Sequence, residues 1–149
     1  MGVDISKLHF SKSDMSLFKE KIRDETKLLN EWFCQNRFST LVGTGGFELE
    51  AWLVDSNCRP VPGNVEFIEQ LNDPMVVPEL AKYNFELNTK PFSVKGHGLL
   101  SLKQDLKNRW KQAELQAQKM NLRTMMIGIL PTVQEKQLNI EHSSPYRQR

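Results

Sequence analysis

The sequence predicts an α+β domain built on a largely antiparallel sheet. Two segments, about 13–35 and 99–120, place apolar residues at three- and four-residue steps, the mark of amphipathic helices. Two others, 47–54 and 84–89, alternate apolar and polar residues as half-buried strands do. The connection from Val54 to Asn84 is long and irregular and holds no crossover helix of normal length. Parallel strands need such a crossover, so antiparallel pairing is the expectation.

The elements follow in order. Residues 1–12 are expected as a lead-in, 13–140 as the folded part and 141–149 as a mobile tail. Ser13 or Asp14 is expected to cap the first helix with a side-chain oxygen. Its stripe is Met15, Phe18, Ile22, Leu29, Trp32 and Phe33. A strand from about Phe47 to Val54 follows. Turn residues Asp55, Ser56 and Asn57 and the segment Pro60 to Gly63 punctuate it. Val65, Phe67, Ile68 and Leu71 suit a short helix that stops near Asn72-Asp73-Pro74. A second short helix is expected after Pro78, with proline at its first position. Asn84 to Thr89 reads as a strand ended by Pro91. Leu99, Leu102, Leu106, Trp110, Ala113, Ala117 and Met120 define a long helix after the break at Gly96-His97-Gly98. Leu122 to Leu130 reads as a buried strand closed by Pro131. Thr132 and Glu135 have the spacing of a capping box for one more short helix.

Composition bounds the function without naming it. The 149 residues are 39% hydrophobic and 26% charged, as in soluble globular proteins, and the net charge is only +2. That balance gives no reason to expect a nucleic-acid or anionic-membrane partner. No run approaches the ~18 apolar residues of a membrane span. Met1 to Phe10 lack a basic start followed by an apolar run, so a cytoplasmic location is expected. Cys34 and Cys58 are too few for a disulfide framework and read as reduced thiols, with a single bridge left open.

The chemistry lies in the carboxylates. Strand alternation puts Glu48 and Glu50 of Phe47-Glu-Leu-Glu50 on one face, with Phe47 and Leu49 on the other. Two carboxylates ~6.5–7 Å apart along a strand repel one another, and a divalent cation offsets that repulsion. Hard oxygen ligands suit Mg²⁺ or Mn²⁺. The same alternation groups Asn84, Glu86 and Asn88. If the two strands are neighbours, Glu48, Glu50 and Glu86 converge. Taken alone, each motif is equally at home on a solvated sheet face. Gly43-Thr-Gly-Gly46 lacks the spacing and the Lys-Ser/Thr ending of a phosphate loop. His9, His97 and His142 are scattered without ligand spacing. Lys103, Lys107, Arg109, Lys111 and Lys119 read as the solvated side of the long helix.

Taken together and in order, the motifs resemble a family. Gly46-Phe-Glu-Leu-Glu-Ala-Trp-Leu-Val-Asp55 resembles the first metal-binding strand of the glutamate–cysteine ligase superfamily, in its bacterial carboxylate–amine ligase branch. The segment from Leu71 to Thr89, with Glu86-Leu-Asn-Thr89, resembles the second signature. Met126-Ile-Gly-Ile-Leu-Pro-Thr132 resembles the strand and turn after the long helix. The likeness covers about residues 42–145. It implies a glutamine-synthetase-like fold and ATP-dependent amide-bond formation through an acyl phosphate, as in glutathione biosynthesis. It further implies Mg²⁺ or Mn²⁺ held by Glu48, Glu50 and Glu86, with Asn88 and Thr89 near the carboxylate substrate. ATP and an amino-acid carboxylate and amine would be the substrates, and a homo-oligomer is left open.

Members of that family run to several hundred residues. The resemblance therefore implies the N-terminal portion of a ligase catalytic domain, with little activity expected of these 149 residues alone. The competing expectation is a non-catalytic truncated relative that acts as a protein-interaction module, with the first helix as its interface.

Overall fold

The computed structural model describes residues 9–144, which divide into two compact units, 9–41 and 42–144. The chain is an α+β protein, and the pairing within its sheets is antiparallel throughout.

The first unit is dominated by helix α1 (Lys12–Cys34). Ser11 rather than Ser13 caps it, in a reciprocal box. The Asp14 N–H donates to Ser11 Oγ at 3.2 Å, and the Ser11 N–H donates to Asp14 Oδ2 at 2.8 Å. Two of the amides left open at a helix start are satisfied in this way. The chain then turns through Asn36, at φ 51°. Phe38 packs back on Phe33, with ring centroids 4.4 Å apart. None of the residues of α1 is buried.

The second unit holds the sheet. Strands β1 (Thr44–Gly45), β2 (Glu48–Val54), β3 (Val76–Pro78), β4 (Asn84–Asn88), β5 (Phe92–Ser93) and β6 (Arg123–Met125) are joined by helices α2 (Asn64–Leu71) and α3 (Gly98–Lys119). The four-stranded sheet runs β3-β4-β2-β6, and β1 and β5 form a separate small ribbon. Period-two alternation sends Ala51, Leu53, Phe85 and Leu87 to one face. There they meet Phe67 of α2, Ala113 and Ala117 of α3, and Val76 of β3. The alanines let α3 approach closely, and Phe67 and Phe85 pack with ring centroids 4.8 Å apart. The opposite face carries the acidic residues.

Three expectations change. No helix follows Pro78. Val76, Val77 and Pro78 instead pair with Leu87, Glu86 and Phe85 as an edge strand, where proline is tolerated. The strand expected from Leu122 to Leu130 shortens to β6, which pairs with Trp52 to Val54 of β2 and leaves the ladder after Met125. Past that point Ile129 is 84% exposed, and only Leu130 returns to the interior. Thr132 is not a cap. Its hydroxyl donates to the Cys58 carbonyl, and Gln134 and Gln137 box the short 3₁₀ turn Glu135–Gln137.

The expected tail is partly anchored. Ser143 bridges to Ala81, Ser144 Oγ accepts from Asn64 Nδ2 at 2.8 Å, and the Lys82 N–H donates to the His142 carbonyl at 2.7 Å. Residues 145–149, and residues 1–8 of the expected lead-in, lie outside the described residues. Cys34 and Cys58 are both unpaired. No described helix is long and apolar enough to cross a membrane.

Candidate metal centre

The sheet register builds the site. On β2 and β4, Glu48 stands opposite Asn88, Glu50 opposite Glu86, and Trp52 opposite Asn84. Residues directly opposite in an antiparallel pair have Cβ atoms ~4.5–5.5 Å apart, so Glu50 and Glu86 face each other as like charges. On the other side of β4, Val77 stands opposite Glu86. Glu79 lies two residues beyond Val77 and therefore on the same face. Its N–H reaches the Asn84 carbonyl at 3.4 Å.

Three strands thus deliver three carboxylates to one place. Glu50, Glu79 and Glu86 each offer an oxygen, and these oxygens lie within 4.8 Å of one another. Glu50 is exposed, while Glu79 and Glu86 are half-buried. Asn88 Nδ2 donates to Glu86 Oε1 at 2.6 Å and orients that carboxylate. Burial pushes the Glu79 carboxyl above its ordinary 4.5, and its hydrogen bond with Glu86 and the negative charges of Glu86 and Glu50 push the same way. The Leu80 N–H donating to Glu79 Oε2 at 3.1 Å pulls in the opposite direction.

The donor set fits a hard divalent cation. Two oxygens on opposite sides of one Mg²⁺ lie ~4.2 Å apart, given ~2.1 Å per bond. All three donors are carboxylate oxygens, the ligands that Mg²⁺ and Mn²⁺ favour.

The residues expected from sequence separate. Glu50 and Glu86 come together. Glu48 is exposed on the same face, one ladder step away and outside the cluster. Asn88 lies beside the cluster through its bond to Glu86. Thr89 is buried, and its hydroxyl accepts from the Phe47 N–H at 2.8 Å and donates to the Phe47 carbonyl at 3.3 Å. That pair of bonds fastens the end of β4 to the start of β2.

Glu79 is the residue the sequence reading missed. A signal existed in Val76-Val-Pro-Glu79, whose alternation places Val77 and Glu79 together once the segment is read as a strand. The helix expected after Pro78 concealed it. His97 begins α3 without a side-chain capping bond, and Thr44 and Gly45 form the ribbon with β5.

Beside the carboxylates, Trp52 stacks on Tyr83 with centroids 5.5 Å apart and planes within 7°. Its Nε1 donates to the Ile127 carbonyl at 2.8 Å. The aromatic pair walls one end of the acidic face.

No family model, curated protein or solved structure matches this chain.

Proposed function

We propose that this chain is the N-terminal portion of an ATP-dependent carboxylate–amine ligase of glutamate–cysteine type, on a glutamine-synthetase-like fold. Its acidic sheet face would hold Mg²⁺ or Mn²⁺ through Glu50, Glu79 and Glu86. The single observation that carries the reading is the convergence of those three carboxylates from β2, β4 and the end of β3. Like charges held together on a sheet lower stability unless a cation neutralises them. The resemblance of the two strand motifs to that ligase superfamily supplies the reaction class.

In that reaction a substrate carboxylate oxygen attacks the γ-phosphorus of ATP, and ADP leaves from an acyl phosphate. The amine then attacks the acyl carbon and releases phosphate. A bound cation supplies charge neutralisation of the phosphate oxygens. The residues of this chain would act around that event. Glu50, Glu79 and Glu86 hold the charge in place, and Asn88 fixes the Glu86 carboxylate through the bond at 2.6 Å. The resemblance would put Asn88 and Thr89 near the carboxylate substrate, with the Thr89 hydroxyl engaged by the Phe47 backbone. Glu48 stays a flanking carboxylate.

Titration with Mn²⁺, followed by water-proton relaxation, tests the cation site. One site is expected. Glu50→Gln, Glu79→Gln and Glu86→Gln should each weaken it by roughly tenfold or more, and Glu48→Gln by much less. Absence of saturable binding, or equal loss with Glu48→Gln, would sink the assignment. Loss of Mg-ATP turnover on Glu86→Gln in a longer protein containing this sequence would support the ligase reading, and unchanged turnover would refute it.

One observation favours a second reading, a non-catalytic interaction module. The apolar stripe of α1 is exposed along its whole length.

A further inference from the structure

Helix α1 carries a feature that the ligase reading does not use. Its stripe keeps the seven-residue spacing of a coiled-coil seam: Met15 and Phe18, Ile22 and Glu25, Leu29 and Trp32. These positions alternate at three and four residues over nearly three heptads, so they line one edge of the helix. Every apolar member is exposed, with Phe18 at 59% and the adjoining Phe33 at 63%. Helices in proteins draw most of their stability from packing an amphipathic face, so the stripe needs cover.

Charge identifies the cover. Residues 12–23 contain Lys12, Lys19, Lys21 and Arg23 against Asp14 and Glu20, a net +2. Residues 24–34 contain Asp24, Glu25 and Glu31 against Lys27, a net −2. The helix is thus complementary to itself when reversed, and repels itself when aligned in parallel. Glu25 points the same way. In a parallel pair it would meet its own copy across the seam. In a reversed pair it falls beside Ile22 and Lys21 of the second copy.

We propose that α1 pairs antiparallel with α1 of a second copy of this chain. The seam would layer Met15 on Trp32, Phe18 on Leu29 and Ile22 on Glu25, each twice by symmetry. This is an isologous two-fold contact, the commonest form of homodimer. An aromatic side chain buries ~150–250 Å² in all, and those of the seam are about half exposed. Covering the seam and Phe33 would therefore remove on the order of 1,000 Å² from both copies together, at the lower end for a specific interface. The pairing does not depend on the carboxylate site and involves none of its residues.

Sedimentation velocity across a concentration series, with the 149-residue chain, tests the contact. A reversible dimer is expected. Ile22→Asp combined with Leu29→Asp should weaken it by roughly a hundredfold or more. The core of residues 42–144 contains no α1 side chain, so near-ultraviolet circular dichroism of the variant should keep the signal of the stacked Trp52 and Tyr83. Orientation is read from Cys34, which is exposed near the helix end, in a Cys58→Ser background. Nitroxides on the two Cys34 residues should lie about 30 Å or more apart if the helices run antiparallel. A chain that stays monomeric at ~100 μM overturns the proposal, since a functional contact weaker than this would not match the buried area. A dimer that survives the double substitution overturns the assigned surface. A nitroxide separation below about 20 Å means parallel pairing and overturns the geometry.

Discussion

Single residues decide the acidic face. Glu50 and Glu86 repel across the ladder. Glu79 beside them holds its proton more tightly, first because it is partly buried and then because of its hydrogen bond with Glu86 and the nearby negative charges. Because its folded-state value lies above the ordinary 4.5, its contribution to stability is present below 4.5 and is lost as pH rises through the raised value. Glu79→Gln should remove that loss. The variant should gain stability relative to the native protein as pH climbs from about 4.5, as read by urea unfolding at several pH values. A difference that stays constant with pH would refute this account. A cation that binds the three carboxylates competes with the same proton, so Mn²⁺ affinity should rise over the same interval. Glu50 and Glu86 were legible because a period of two is visible within one short strand. Glu79 was not, since its partners are 29 and 7 residues away and are set by pairing rather than by local pattern.

At the scale of elements, polar and steric fittings hold the two helices of the second unit to each other and α3 to β5. Arg109 of α3 bonds both Asp73, in the turn after α2, and Asp105, and the Arg109–Asp73 pair is largely shielded from solvent. Gln116 Nε2 donates to Gln70 Oε1 at 2.7 Å, a second tie between α2 and α3. Arg109→Ala would leave Asp73 charged without this partner. The expected cost is about 2–4 kcal/mol, below that of a fully buried pair because some solvent reaches both groups. The measurement is urea unfolding, and a change under about 0.5 kcal/mol would show the pair to be idle.

Gly98 has a different constraint. A Cβ there would sit 1.7 Å from the Ser93 carbonyl oxygen, so α3 begins where only glycine fits against β5. Gly98→Ala should therefore destabilise by about 1–3 kcal/mol in the same measurement, although alanine is the better helix former. The sequence marked Gly98 as a break. Only the packing of the helix start on β5 shows why it must be glycine.

At the scale of the molecule, the two units differ in kind. Every buried residue of the main core lies between Ala51 and Ala117, within residues 42–144. That segment, expressed alone, should keep a cooperative thermal transition close to that of the full chain. A broad or absent transition would show that residues 9–41 contribute to the fold. The long helices and the two alternating strands were legible because their periods repeat within a single segment. The edge strand β3 and the length of β6 were not, because a three-residue strand takes its identity from its neighbour. Thus Val76 to Pro78 became a strand by lying against β4, and Met126 to Ile129 stopped being one by leaving the ladder at Trp52, although β2 itself runs on to Glu48.

The sequence by itself determined the α+β class, the antiparallel sense and the face that bears Glu48, Glu50, Glu86 and Asn88, since each follows from local periodicity and connection length. The tertiary structure alone decided which carboxylates meet. Register sets Glu86 against Glu50 and leaves Glu48 against Asn88, and the unforeseen edge strand brings in Glu79. Alternation orients a side chain toward a face, whereas only the hydrogen-bonded ladder between strands distant in sequence fixes its neighbours there.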